Sequence, residues 1–129
     1  MEAHTLSKSE RLCSKKLIET LFSGKGRSMS AFPVRVVYLK LSRTEHEPQA
    51  EMLVSVPKRC FKRAVKRNRV KRQVREAFRM HKQQLLDKMK DHADEKLIMA
   101  FIWLDDKLHD STDVESRISV LVNRISEKL

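Results

Sequence analysis

The sequence predicts an α/β sandwich, a mixed four-stranded sheet with helices packed on it in the order α, β, β, β, α, β, α. Three observations lead there. Apolar residues recur at three- and four-residue steps in three segments. Others are short runs rich in β-branched and aromatic residues. The two kinds interleave, and a strand returning in parallel needs the intervening helix as its crossover. At 129 residues the chain suits one domain, 1–129, with a modest core.

Taken in order, Ser14 to Phe22 carries Leu17, Ile18, Leu21 and Phe22 at helical spacing, and Gly24 with Gly26 supplies a stop. A brief strand fits Arg27 to Ser30. Phe32 to Leu41, FPVRVVYLKL, has apolar side chains on both alternating faces, as a strand covered on two sides requires. Glu51 to Val56 is the next strand, and the polar loop Ser42 to Ala50 between them suggests an antiparallel hairpin. From about Ala64 the period changes. Val70, Val74, Ala77, Phe78, His81, Leu85 and Met89 share one stripe of a long second helix. Lys96 to Leu104, KLIMAFIWL, is too short and too uniformly apolar for a surface helix and reads as a buried strand, with Trp103 in the core. Thr112 and Glu115 form a capping-box pattern ahead of Val114, Ile118, Leu121, Val122, Ile125 and Leu129, a closing amphipathic helix.

Composition removes several classes of function. With 40% apolar and 35% charged residues, two Gly and three Pro, the chain is neither fibrous nor low in complexity. Its longest apolar run, Leu97 to Leu104, is far below the roughly 18 residues needed to cross a bilayer. Met1 to Thr5 lacks an export signal, so a cytoplasmic location and no membrane partner are expected. Cys13 and Cys60 stand apart without a CxxC spacing and read as reduced thiols, giving no metal site.

The net charge of +11 points to a polyanion. Nearly all of it is local: Lys58 to Arg79 holds eleven cations and one acid, Glu76, while the remainder is close to balanced. Like charges four apart, as at Arg67, Lys71, Arg75 and Arg79, repel by a few tenths of about 1 kcal/mol per pair, so the pattern weakens the free protein unless an anion rewards it. A solvated face normally mixes signs. A lipid- or calmodulin-binding helix needs a free apolar side, yet here that side is the core seam. Many arginines favour nucleic acid, and flanking strands disfavour a helix-turn-helix DNA reader, which leaves RNA. A general RNA-binding or ribosome-associated module is the alternative within that class.

The string KRAVKRNRVKRQVREAFR, Lys62 to Arg79, resembles the signature of the bacterial ribonuclease P protein subunit: an Arg, Asn, Arg triplet (Arg67, Asn68, Arg69), a Lys-Arg pair (Lys71, Arg72), then Arg75 to Phe78. Ser55 to Arg59 is similar to that family's strand end, and Leu6 through Gly24 to its opening. The resemblance implies a non-catalytic subunit that assembles with a large catalytic RNA and helps it remove the 5′ leader from precursor tRNA. The RNA would perform the hydrolysis with Mg²⁺ that it mainly holds itself, and no obligatory protein partner is implied. RNA-binding residues would be Lys58, Arg59, Lys62, Lys66, Arg67, Asn68, Arg69, Lys71, Arg72 and Arg75. A leader cleft would use Ile18, Phe22, Arg35 and Val37, though Ile18 and Phe22 equally suit core packing, and Val34, Val36 and Tyr38 are the alternative floor. The resemblance also implies a left-handed βαβ crossover, against the usual preference.

There are departures from the family pattern. Cys60 to Arg63 replaces a Gly-Asn pair at the start of the long helix and offers no capping side chain. Ile18 stands where the first cleft aromatic is expected, which thins base stacking. The five histidines, His4, His46, His81, His92 and His109, read as scattered, and Asp105 with Asp106 as a strand-end turn, so no catalytic residue is assigned.

Overall fold

The computed structural model describes residues 10–129. His4 and the part of the family-like opening up to residue 9 lie outside them. Helix α1, Lys15–Thr20, begins under Ser14, whose Oγ accepts from the Leu17 amide at 3.3 Å, and it continues as a wide turn, Leu21–Lys25. Gly24 ends the turn at φ 95°, a conformation that favours glycine. Gly26 is needed for space, because a Cβ there would stand 2.7 Å from the Leu21 carbonyl oxygen and 2.9 Å from Val37 Cγ1.

Strands β1 (Arg27–Ala31), β2 (Val34–Ser42) and β3 (Ala50–Ser55) follow, then helices α2 (Ala64–His81) and α3 (Gln83–Met89), strand β4 (Glu95–Trp103) and helix α4 (Ser111–Lys128). The sheet order is β1-β2-β4-β3. β2 and β3 therefore do not form the expected hairpin. β4 lies between them, antiparallel to β2 from Val34↔Trp103 to Ser42↔Glu95 and parallel to β3 from Ala50↔Leu97 to Ser55↔Ile102. The physical reason is burial. Leu97 through Phe101 are completely buried, and only a central strand covered on both faces gives an all-apolar run that environment.

The two faces of β4 feed two cores. Leu97, Met99, Phe101 and Trp103 join Val34, Val36 and Tyr38 of β2 beneath α2, α3 and α4. Ile98 and Ala100 join Val37, Leu12 and Leu21 on the opposite face, where Leu17 and Ile18 of α1 pack against them. The sheet thus carries its large helical layer on one side and a smaller cover on the other.

Two expectations for the helices change. The predicted long helix is divided at Lys82, whose buried ammonium meets Glu10 Oε1 at 2.7 Å. α4 begins one residue after Asp110, with no side-chain cap, so Thr112 lies inside the helix instead of capping it. Glu115 is drawn instead to His81 Nε2 at 3.2 Å, which ties α4 to α2.

The loop between β2 and β3 is held by a buried lysine. Lys96 binds Glu51 at 3.0 Å and also pairs with Glu47. Gln49 Nε2 donates to the Met89 carbonyl at 2.6 Å, fixing the loop to the end of α3. Phe78 is the main-core counterpart of these ties, fully buried with its ring centroid 5.8 Å from that of Phe101. Phe78→Ala should cost about 3–5 kcal/mol of unfolding free energy in a urea titration.

Candidate nucleic-acid interface

The start of α2 is built by what precedes it. Cys60 and Phe61 turn inward and are buried, with Cys60 Sγ 3.8 Å from the Trp103 carbonyl oxygen. These two residues of the divergent segment anchor the turn, and their neighbours Lys58, Arg59, Lys62 and Arg63 point to solvent. Arg63 is the extended residue before the helix and makes no side-chain cap. The first turn holds no acid, so free amides, the positive helix pole and several cations coincide there.

Arg67 braces the turn before the helix and leaves the N-terminal amides uncapped. Its Nη1 donates to the carbonyls of Phe61 and Lys62, both at 2.8 Å. Lys66, Asn68, Arg69 and Arg72 are exposed, whereas Lys71 and Arg75 are half-buried along one flank of the helix. Of the eleven cations from Lys58 to Arg79, Arg79 alone pairs with a carboxylate among the described residues, that of Glu76. The ridge is therefore not neutralised internally. The other flank of α2 faces α4, where Gln73 Nε2 donates to the His109 carbonyl at 3.0 Å.

Sequence reasoning missed Arg11. A single parallel bridge, Arg11↔Met52, and a 2.7 Å bond from the Leu12 amide to the Met52 carbonyl lay this segment along the outer edge of β3. Arg11 is thereby brought near Arg75, whose guanidinium is pushed below its ordinary pKa by burial and by that neighbouring charge. The only signal in the sequence was the family-like opening that contains Arg11.

The four expected cleft residues separate. Val37 and Ile18 belong to the second core, Val37 fully buried and Ile18 partly so. Arg35 is exposed two residues along the same strand face, and Phe22 is 48% exposed beside the buried Leu21. The alternative floor, Val34, Val36 and Tyr38, lies in the main core under the helices. The face on the α1 side thus presents Arg35 beside half-buried Leu53 and Ile102.

The histidines are less scattered than the sequence reading held. His109 sits between Asp105 at 2.8 Å and Asp113 at 2.6 Å, its ring edge-on to Trp103 at 5.4 Å. The even four-residue spacing of these three was the overlooked clue. Hydrogen bonding to Asp105 and then to Asp113 raises the His109 pKa against the opposing effect of burial, while His109 lowers that of Asp105. No nucleophilic side chain bonds to His109 among the described residues, and the group ties the segment after β4 to α4.

A family model described as Ribonuclease P matches residues 6–124. The chain belongs to the ribonuclease P protein family. The ribonuclease P protein component of Porphyromonas gingivalis is 44% identical over 121 residues, covering 94% of this chain and 86% of the relative. That of Chlorobium phaeobacteroides is 38% identical over 89 residues, covering 66% and 59%. Among solved structures, the ribonuclease P protein of Staphylococcus aureus aligns with a TM-score of 0.68 at 20% identity, covering 93% of this chain and 97% of that one. That of Thermotoga maritima aligns at 0.66 and 21% identity, covering 89% and 96%. The structural likenesses establish the α/β fold. Membership in the ribonuclease P family makes this a protein component of a ribonucleoprotein endonuclease, with RNA as its partner. No described helix is long and apolar enough to cross a membrane.

The His109 cluster has a defined pH signature. Its folded pKa is raised above the ordinary 6.5, so its contribution to stability is complete below 6.5 and is lost as pH rises through the folded value. Denaturant titrations across that range should show wild-type stability falling with pH more steeply than that of His109→Gln.

Proposed function

We propose that the protein assembles with the catalytic RNA of ribonuclease P and contacts the 5′ leader of precursor tRNA, assisting Mg²⁺-dependent removal of the leader by the RNA. One observation carries this reading: ten of the eleven cations between Lys58 and Arg79 have no carboxylate partner among the described residues. Guanidinium groups at Arg69, Arg72 and Arg75 suit bidentate contacts to phosphate, and the uncapped start of α2 adds amide donors and a positive pole. Lys58, Arg59, Lys62, Lys66, Asn68 and Lys71 extend that surface along the helix and the turn before it. Neutralisation by phosphates removes the like-charge repulsion that the free helix carries.

For the leader, Arg35 offers a cation and Phe22 an aromatic ring, while Val37 and Ile18 act from within the second core as their support. Mg²⁺ belongs to the RNA in this reading. The described residues gather no group of three His, Cys, Asp or Glu suited to a metal ion. The working location that goes with such a partner is the cytoplasm.

Reconstitution tests the proposal. Pure protein added to a bacterial ribonuclease P RNA at low Mg²⁺ should restore cleavage of precursor tRNA; binding without stimulation would favour a general RNA-binding module. Affinity should fall with salt at a logarithmic slope of about −0.7 to −0.9 per neutralised phosphate. Arg69→Ala should weaken assembly with unchanged thermal stability, because the side chain is exposed and bonds to none of the described residues. Arg67→Ala should weaken assembly too, but with about 1–2 kcal/mol less folding stability, since its bonds to Phe61 and Lys62 are lost.

A further inference from the structure

A second basic site stands at the opposite corner of the domain. α2 begins at the end of the sheet where Val34 pairs with Trp103. At the other end of β2, where β1 starts and α4 finishes, Lys25, Arg27, Lys40 and Lys128 line a cavity of about 170 Å³. That is roughly the space of five or six waters at about 30 Å³ each, enough for a phosphate group and part of its hydration. No acidic side chain lines the cavity, and none of the four cations forms an ion pair among the described residues.

Tyr38 is the independent sign of a ligand. The residue is 5% exposed, packs in the main core and lines the same cavity. Its hydroxyl has no hydrogen-bond partner among the described residues, and the residue lines this cavity. The O–H is therefore free to donate a hydrogen bond to an anion oxygen held by the surrounding cations. The register places Arg27 directly across from Tyr38, with Lys40 two residues along the same strand face. These three side chains converge because the sheet holds them.

Compensation of the α4 dipole does not account for the cluster. A helix C-terminus carries about half a negative charge, and a terminal carboxylate would bring the total to about one and a half, against four cations. Lys25 and Lys40 come from other elements and remain in excess.

We propose that this corner binds a backbone phosphate of an RNA strand, separate from the segment held at α2. Val34 to Lys40 alone spans about 20 Å at roughly 3.3 Å per residue, and α4, though packed against α2, lies on the β1 and β2 side of it while α2 touches β3. The protein would then join two stretches of RNA. The inference rests on the RNA-binding reading of α2, and the test separates the two.

The full chain, labelled with ¹⁵N, is titrated with inorganic phosphate and then with the catalytic RNA across a salt series. Phosphate should shift the amides of Arg27, Leu39 and Lys40. Tyr38→Phe, which keeps the ring in the core, should weaken that binding about tenfold. The double variant Arg27→Ala, Lys40→Ala should lower the salt slope of RNA binding by about 0.7–0.9. Arg69→Ala should leave the phosphate-induced shifts at this corner unchanged. Phosphate shifts confined to α2, or an unchanged phosphate affinity in Tyr38→Phe, would overturn the site. Corner shifts with phosphate but an unchanged RNA slope in the double variant would mean a free-anion site and overturn the RNA assignment. Failure of the α2 reading would show separately, as an unaltered RNA affinity in Arg69→Ala.

Discussion

Everything in this molecule is arranged around the requirement to bury both faces of β4. Leu97 through Phe101 have no exposed surface, and a strand of that composition is stable only with neighbours on both edges and cover on both sides. β2 and β3 supply the edges, α2, α3 and α4 cover one side, and α1 with Leu12 and Leu21 covers part of the other. Once α2 is committed to this core through Val70, Val74, Ala77 and Phe78, and tied to α4 through Gln73 and His81, its outer surface carries little structural duty. The cations can occupy that surface because the core, not local charge pairing, holds the helix.

That division explains how a helix so rich in like charges persists in the free protein. Its repulsions are worth tenths of a kcal/mol each, while burial of a large apolar side chain is worth about 1.5–3 kcal/mol. The local adjustments are few: Glu76 meets Arg79, and Arg67 donates to the carbonyls that precede the helix. The other cations stay available, and Arg75 is held below its ordinary pKa first by burial and then by the neighbouring Arg11 charge.

Much of this was legible in the chain. Helical periodicity located the stripe of α2 and α3, the β-branched runs located the strands, and the charge count located the cationic ridge of α2. Strand order was not legible, because loop length suggested a β2–β3 hairpin, whereas the decisive term was the two-faced burial of β4. Lys82 and Lys96 look like surface lysines in sequence; only the tertiary fold brings Glu10, Glu47 and Glu51 to them. Arg11 was equally hidden, since its place depends on one bridge to Met52. The departure at Cys60 and Phe61 left the start of α2 unresolved until their burial showed what fixes it.

The bridge between Arg11 and Met52 has a consequence for assembly. β3 is an outer strand, and an outer strand left bare is a template for pairing with another copy of the same chain. The segment around Arg11 and Leu12 occupies that rim at Met52, and it does so with a guanidinium that repels an approaching cationic twin. The same short stretch thereby discourages self-stacking while adding its charge beside that of Arg75.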